Sequence, residues 1–257
     1  DQWGWSGVAL VPGDYNGDGK DDQAVFGNGY WYIKSVSGGV IARAIQWGWP
    51  GAVPVPGDYD GDGKSDQAVF GNGYWYIKSV SGGVITWANR WGWPGAVPVP
   101  GDYNGDGKAD LALFDSNKGY WYIKSVSGKV ITWANRWGWP GAVPVPGDYN
   151  GDGKADLALF DSNKGYWYIK SVSGSVIAWA KPWGWPGAVP VSGDYDGDGK
   201  SDMAVFDSNS GYWYIKSVSG GVIAWANRCG WSGAVPVSGD YDGDGKSDLA
   251  VFDNSTP

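Results

Sequence analysis

Six short acidic segments contain the residues of this chain whose types and spacing could do chemistry. Each segment follows a Gly and reads D-x-(D/N)-x-D-G-x-x-D over nine positions, as in residues 14–22. Ca²⁺ takes roughly six to eight oxygen ligands, and alternate side chains of a tight loop can converge on one ion. The pattern therefore predicts one calcium ion in each segment, and about six ions in the whole chain.

The predicted ligands occupy all five odd-numbered positions of each nine-residue loop. Positions 1, 3, 5 and 9 offer carboxylate or amide oxygens, and position 7 is a Lys in every copy. That Lys is expected to give its backbone carbonyl while its ammonium faces water. The predicted ligands are Asp14, Asn16, Asp18, Lys20 and Asp22; Asp58, Asp60, Asp62, Lys64 and Asp66; Asp102, Asn104, Asp106, Lys108 and Asp110; Asp148, Asn150, Asp152, Lys154 and Asp156; Asp194, Asp196, Asp198, Lys200 and Asp202; and Asp240, Asp242, Asp244, Lys246 and Asp248.

Charge and spacing separate these loops from two alternatives. A helix–loop–helix calcium hand needs a Glu at position 12, whereas position 12 here is apolar, as at Val25. An acidic surface turn without metal is the other alternative, because Asp and Asn followed by Gly favour turns. The predicted ligand positions hold 21 of the 27 acidic residues of a chain whose net charge is −8. Such crowding is repulsive without a cation, so six near-identical copies favour the metal.

The loops belong to a tandem repeat. The string WYIKSVSG begins at Trp31, Trp75, Trp121, Trp167 and Trp213, and the loops recur with spacings of 44 or 46 residues. Each unit is predicted to form four short strands, which in the third unit begin near Ala96, Leu111, Tyr120 and Lys129. Four strands in about 45 residues is the period of a β-propeller blade. Because the strands do not alternate cleanly between apolar and polar residues, we expect both faces of a blade to be covered.

The sequence predicts an all-β chain that forms a single propeller domain over residues 1–257. Six copies of the first two strands but five copies of the last two favour a six-bladed ring with an incomplete last blade. A five-bladed ring with a surplus hairpin is one alternative. Another is an open part of a larger ring that closes with a second chain as an oligomer. The predicted units are residues 8–51, 52–95, 96–141, 142–187, 188–233 and 234–257.

One run, PVPGDYDGDGKSDQAVF followed by GYWYI, resembles the FG-GAP/VCBS repeat family. Members form the calcium-loop blades of integrin α-subunit heads and of many secreted bacterial proteins, and fungal propeller lectins use similar loops. The resemblance implies the propeller fold and bound calcium. It implies function more loosely, because members serve in adhesion, glycan binding and scaffolding.

Tryptophan is the other unusual feature, with 20 residues in the chain. Each linker that precedes a unit carries two, except the last, which has Cys229 and Trp231, and the first Trp is expected to wedge between blades. The second is predicted to offer a stacking platform for sugar rings, although packing is the alternative. The candidate ligand-binding residues are Trp49, Trp93, Trp139, Trp185 and Trp231. A further set, Trp87, Trp133, Trp179 and Trp225, is replaced by Arg43 in the first unit. The Lys of each WYIK string is expected to form a solvated rim.

Composition excludes several functions. The chain has no His and no Glu, which removes histidine-based triads and zinc sites, and we predict that it is not an enzyme. Its acidic charge argues against nucleic acid, and no apolar run approaches the roughly 20 residues of a membrane span. With Cys229 alone, no intrachain disulfide can form. We predict a secreted or cell-surface protein that binds glycans at several equivalent sites. The alternative is a structural or adhesion scaffold that binds extracellular protein partners.

Overall fold

The computed structural model describes residues 3–253, so residues 1, 2 and 254–257 of the predicted domain lie outside it. Its described part contains five four-stranded antiparallel sheets and one two-stranded sheet. In each large sheet the strands follow one another in chain order, which is the arrangement of a propeller blade. The predicted all-β propeller of four-stranded blades is confirmed. None of the described residues forms a helix of the length and apolarity that crossing a membrane requires.

The strands of the five blades, in chain order, are β1 Ala9–Leu10, β2 Gln23–Gly27, β3 Tyr30–Lys34 and β4 Val40–Gln46; β5 Val53–Pro54, β6 Gln67–Gly71, β7 Tyr74–Lys78 and β8 Val84–Arg90; β9 Val97–Pro98, β10 Leu111–Asp115, β11 Tyr120–Lys124 and β12 Val130–Arg136; β13 Val143–Pro144, β14 Leu157–Asp161, β15 Tyr166–Lys170 and β16 Val176–Pro182; and β17 Val189–Val191, β18 Met203–Asp207, β19 Tyr212–Lys216 and β20 Val222–Arg228. The hairpin consists of β21 Val235–Pro236 and β22 Val251–Phe252.

Burial differs among the strands of a blade. The second strand is covered on both faces, and every residue of β10 is buried. The third strand alternates, with the Trp and Ile of Tyr-Trp-Tyr-Ile-Lys buried and the other residues half-buried. The fourth strand lies at the outer edge and exposes its first, fourth and last residues. The expectation that both faces are covered therefore holds for the second strand and fails for the outer two.

The core lies between neighbouring blades. Trp75 and Ile77 of one blade pack with Leu111 and Leu113 of the next, and all four are fully buried. The same arrangement joins Trp121 to the blade that follows it. Since truncating a buried Trp costs about 3–5 kcal/mol, the third strand of each blade holds the next blade in place.

One hydrogen bond recurs between the loops of successive units. The backbone N–H at loop position 8 donates to the carbonyl at position 1 of the preceding loop, at 2.6 Å in each case. The donors are Ser65, Ala109, Ala155, Ser201, Ser247 and Asp21, and the acceptors are Asp14, Asp58, Asp102, Asp148, Asp194 and Asp240. The last pair joins the sixth loop to the first. The hairpin therefore occupies the place between the fifth blade and the first.

Candidate metal loops and aromatic clefts

A tyrosine at position 2 anchors each acidic loop, and its hydroxyl bonds within its own unit in five loops, whereas that of the fifth loop donates to the hairpin. The hydroxyl of Tyr15 donates to the carbonyl of Val11 at 2.7 Å, and its backbone N–H donates to Asp22 Oδ2 at 2.9 Å. The loop is closed by a bridge between Gly13 and Asp22. The ligand spacing alone does not identify Tyr15 as part of the site. The presence of a Tyr at position 2 of all six loops was the available signal.

The first Asp of each loop organises the backbone around itself. Asp102 accepts hydrogen bonds from Gly105 N–H at 2.6 Å and from Gly107 N–H at 2.7 Å, one on each carboxylate oxygen. The Asp at position 5 accepts the N–H of the Lys two residues later, as from Lys108 to Asp106 at 3.1 Å. These contacts hold the loop in a tight turn.

Position 3 divides the loops into two kinds. Where it is Asp, three carboxylates bring ligand oxygens within 4.8 Å of one another. These groups are Asp58, Asp60 and Asp62; Asp194, Asp196 and Asp202; and Asp240, Asp242 and Asp248. Where position 3 is Asn, its amide instead donates to the carboxylate at position 9, as from Asn104 to Asp110 at 3.0 Å. The six acidic loops, although nearly identical in sequence, therefore differ in the contact that their position-3 side chain makes.

The carboxylate at position 9 has a raised pKa in loops of both kinds, because it is buried beside other carboxylates. Burial raises the pKa of Asp66 to about 7, and the charges of Asp60, Asp58 and Asp62 add to that effect. In the loop with Asn104, burial raises the pKa of Asp110 to about 6 while the amide opposes the rise. Asp66 Oδ1 is also buried without a hydrogen-bond partner among the described residues. A cation at the centre of the loop would satisfy that oxygen and offset the repulsion, so these residues fit a hard divalent ion.

The lysine at position 7 does not simply face water, as the sequence analysis expected. Lys20 Nζ donates to the backbone carbonyl of Asp242 at 2.6 Å, and Lys108 Nζ donates to that of Asp60 at 2.6 Å. The lysine stem crosses a Gly of the preceding loop, and a Cβ at Gly61 would lie 2.9 Å from Lys108 Cε. The lysine therefore ties one loop to the previous one.

Aromatic clefts lie between blades, at the opposite end of the strands from the acidic loops. In an antiparallel blade the turn from strand two to strand three and the linker after strand four share one end, and the acidic loop lies at the other. The larger of two well-formed clefts has a volume of about 520 Å³. It is lined by Arg136, Trp137, Gly138, Trp139, Asp161, Lys164, Tyr168 and Trp179. Its neighbour, of about 340 Å³, is lined by Trp91, Gly92, Trp93, Leu113, Asp115, Lys118, Tyr122 and Trp133.

Of the five predicted ligand-binding tryptophans, Trp139 lines the first cleft and Trp93 the second, and none of the five is fully solvent-facing. Trp49, Trp93, Trp139 and Trp185 are half-buried. Each meets a Tyr of the following blade edge to face, with ring centroids 4.8 to 5.2 Å apart. Trp231, beside the hairpin, is 45% exposed. Packing and an open aromatic edge are therefore combined in the same residue.

The most exposed aromatic rings belong to the set on the fourth strand, which the sequence analysis noted without assigning a site. Trp87, Trp133, Trp179 and Trp225 are 66 to 70% exposed. Each precedes an Ala with positive φ, such as Ala134 at 51°, where the pairing with the third strand shifts register. A bulge of this kind re-aims a side chain, and here it lays the Trp over the cleft. The sequence offers no signal for the bulge, because Ala ordinarily avoids positive φ.

The polar wall of the clefts changes around the ring. Asp115 and Asp161 are nearly buried, and Lys164 Nζ lies 3.7 Å from Asp161 Oδ2. In the first two blades this position is Gly27 or Gly71. A Cβ at Gly71 would lie 2.4 Å from Trp49 Cζ2, so the indole takes the space that the Asp uses elsewhere.

The lysines of the third strand lie over the first Trp of the linker rather than forming a freely solvated rim. Lys124 Nζ is 4.9 Å from the ring centroid of Trp91 and donates to Asn89 Oδ1 at 2.9 Å. Burial lowers the pKa of Lys124. The same cation–π contact recurs with Lys34, Lys78, Lys170 and Lys216. These lysines thus help to fix the linker that forms the cleft.

The fold and these sites define an all-β propeller with acidic loops at one end and aromatic clefts at the other. A family model described as "FG-GAP-like repeat" matches residues 102–159 and 194–251. The chain therefore contains FG-GAP-like repeats, and the predicted resemblance is confirmed. A search of curated protein sequences returned no match.

Solved structures share the fold at low sequence identity. An Agrocybe aegerita lectin, described by its specific recognition of non-reducing terminal N-acetylglucosamine, matches with a TM-score of 0.65 and 19% identity, over 97% of this chain and 75% of the lectin. Virginiamycin B lyase from Staphylococcus aureus matches with a TM-score of 0.52 and 11% identity, over 96% and 83%. The Photorhabdus luminescens Tc holotoxin pore matches with a TM-score of 0.54 and 19% identity, over 97% of this chain but only 13% of the holotoxin chain. A lectin and a lyase share this fold, so the fold alone does not decide between binding and catalysis.

Proposed function

We propose that this protein is a calcium-stabilised propeller that binds carbohydrates at several clefts between neighbouring blades. The observation that carries the proposal is the set of four exposed indoles on the fourth strands, of which Trp133 and Trp179 line the two clefts. Tryptophans that are 66 to 70% exposed are costly to leave in water, and an exposed apolar surface beside polar groups marks a binding site.

The chemistry of a cleft suits a sugar. In the cleft of about 520 Å³, Trp179 and Trp139 present apolar ring surface, and Asp161 and Lys164 offer a hydrogen-bond acceptor and donors. A pyranose has an apolar face of C–H groups and a rim of hydroxyls, so it can pack on an indole while its hydroxyls bond to the charged pair. The lectin with the same fold supports this reading.

Calcium is proposed at the acidic loops, with the ligand residues given by the sequence pattern. The unpartnered Oδ1 of Asp66 and the clustered carboxylates of three loops support it. Bound calcium would supply positive charge that offsets carboxylate repulsion, and it would stabilise the ring. Sites of this kind are saturated where calcium is abundant, so we propose that the protein works outside the cell.

We further propose that the ring has six positions, the last of which is an incomplete blade. The same 2.6 Å hydrogen bond at every junction, including that from Asp21 to Asp240, supports this count over five blades with a surplus hairpin. Clefts repeated around the ring make multivalent binding effective for a branched or surface-bound glycan. Among residues 3–253, no acidic pair or nucleophile is singled out in one cleft, so we propose that the protein binds its glycan without transforming it.

A glycan array with millimolar calcium, followed by titration calorimetry of the sugars that bind, tests this function. A variant with Trp87, Trp133, Trp179 and Trp225 all changed to Ala should lose binding and keep its melting temperature. The matched control changes Val84, Val130, Val176 and Val222 to Ala, because these residues are 49 to 57% exposed on the same strands. Unchanged affinity in the Trp variant, or no binding to any sugar at millimolar concentration, would favour the protein-binding scaffold instead.

A further inference from the structure

A large cavity lies at the incomplete sixth position. It has a volume of about 750 Å³ and opens between the hairpin and the first blade. One wall contains Leu249, Val251 and Phe252 of the hairpin, and the other contains Gln23 and Val25 of the first blade. We call it the closing groove. Within residues 3–253, β22 pairs with β21 alone, so its outer edge has no strand beside it.

The other five inter-blade spaces show what fills such a groove. In each, the third strand pairs with the second strand of its own blade, as β11 pairs with β10. Its Trp packs against the Phe opposite, with Phe114 and Trp121 at 5.2 Å between ring centroids. It also meets the anchoring tyrosine of its own loop, with Tyr103 and Trp121 at 6.4 Å.

The walls of the closing groove repeat those contacts with one partner missing. Phe252 is the counterpart of Phe114, and Tyr241 is the counterpart of Tyr103. Leu249 and Val251 are half-buried, whereas Leu111 and Leu113 at the same repeat positions are fully buried.

Across the groove the same contrast appears at a glutamine. Gln23 is exposed, while Gln67 at the equivalent position of the second blade is 2% exposed beneath the preceding blade. The groove is therefore continuous with the interface that already joins the other blades, and its walls match a strand with Trp and Ile two residues apart.

We propose that the closing groove binds a β-hairpin of this repeat's own Tyr-Trp-Tyr-Ile-Lys type, added to the free edge of β22. The backbone would supply ladder hydrogen bonds, and the Trp and Ile would supply specificity. A folded second copy of the chain offers no such segment, because each of its five hairpins already pairs within a blade.

A peptide with the sequence of residues 211–228, labelled for fluorescence anisotropy, tests the proposal. Saturable binding with one peptide per chain is expected. A control peptide with Ala in place of the residues corresponding to Trp213 and Ile215 should bind at least tenfold more weakly. Equal binding of the two peptides would overturn the proposal.

Two chain variants locate the site. Gln23→Lys changes a residue exposed in the free chain, so the fold should be kept, but the ammonium would be buried beneath the hairpin. It should weaken peptide binding at least tenfold, while Gln46→Lys, also exposed but outside the groove, should leave it unchanged. If Gln23→Lys bound the peptide as tightly as the unmodified chain does, the peptide would bind elsewhere and the groove would be rejected as its site.

Because an isolated two-stranded hairpin is marginally stable in water, a covalent version covers failure of the free peptide. Here the sequence of residues 208–228 is appended directly after Asp253. The melting temperature should rise, and the rise should disappear with the two Ala replacements. No rise, together with no peptide binding, would overturn the proposal. Sedimentation showing a dimer of the unmodified chain that Gln23→Lys dissociates would do the same, because it would assign the groove to a second copy.

Discussion

The end of the ring that carries the acidic loops repeats the hydrogen bond between neighbouring loops at every junction, whereas the end that carries the aromatic clefts changes from blade to blade. Every loop has a Tyr at position 2, a Lys at position 7 and the same 2.6 Å hydrogen bond to its neighbour. The clefts exchange Asp115 or Asp161 for Gly71, and Trp133 for Arg43. The difference fits the proposed roles of the two ends. A structural role of the loop end requires the same contact at every junction of the ring, whereas a recognition role of the cleft end allows each cleft to differ from the others.

Removal of metal should have the largest effect, because it acts on all loops together. Each site at free calcium about 100-fold above its Kd adds ~2.7 kcal/mol to the free energy of unfolding. Excess EDTA should therefore lower the melting temperature by more than about 10 °C, as measured by scanning calorimetry. Adding back calcium in excess should restore it. A melting temperature unaffected by EDTA would contradict the proposal that metal in the acidic loops stabilises the ring.

Loss of one loop anchor should be the next largest effect. Tyr103→Phe removes the hydroxyl that donates to Val99 O at 2.8 Å and leaves a buried carbonyl without its partner. The expected cost is about 1–3 kcal/mol in the free energy of unfolding by urea. Tyr120→Phe, at a half-buried position of the same blade, is the control and should cost less. Equal costs would show that the anchoring bond adds nothing.

A charge change in one cleft should affect binding without affecting stability. Asp161→Asn keeps an oxygen that can accept from Asn163 N–H, now at 3.0 Å, but removes the negative charge. Charged acceptors form stronger hydrogen bonds than neutral ones. Sugar affinity at that cleft should fall about tenfold, or ~1.4 kcal/mol, as read from indole NMR signals of Trp139 and Trp179. The cleft of Trp93 and Trp133 serves as the internal reference and should keep its affinity.

The two ends also differ in how far the sequence predicts them. The candidate loop ligands follow from spacing within nine residues and remain a prediction, while the repeat period predicts the four-stranded blades that the structure contains. The two clefts depend on features such as the bulge at Ala134 that aims Trp133 in one and the half-burial of Trp139 in the other, and on the order of the blades. These are tertiary features, and alternating residue types do not encode them. The prediction that the Lys108 ammonium faces water was wrong for the same reason, because the carbonyl that accepts its hydrogen bond lies on another loop.

An exchange at position 3 should sharpen the difference between the two kinds of loop. Asn104→Asp removes the amide that donates to Asp110 and adds a carboxylate. Stability should rise by about 1 kcal/mol with calcium and fall by a similar amount in EDTA, because the added charge is stabilising only beside a cation. Asp60→Asn should give the opposite pair of shifts. If Asn104→Asp moved the melting temperature in the same direction in both conditions, the two kinds of loop would not differ in metal binding.

The smallest effect is expected at the junction that closes the ring, where the repeat itself supplies the test. Position 8 is Ser or Ala in five loops but Asp21 in the first, where the carboxylate accepts from Asp240 N–H at 2.9 Å. Burial raises the pKa of Asp21 to about 6, and the charges of Asp240 and Asp14 add to the rise. Asp21→Ser keeps a hydrogen-bond acceptor and removes that repulsion. Because the group is half-buried, the gain should be ~0.5–1 kcal/mol, measured by urea unfolding in saturating calcium. Ser247→Asp places the same charge at the preceding junction and should lower stability by a similar amount. A loss of stability in Asp21→Ser would mean instead that the carboxylate holds the sixth loop against the first, and the closing joint would then differ in kind from the other five.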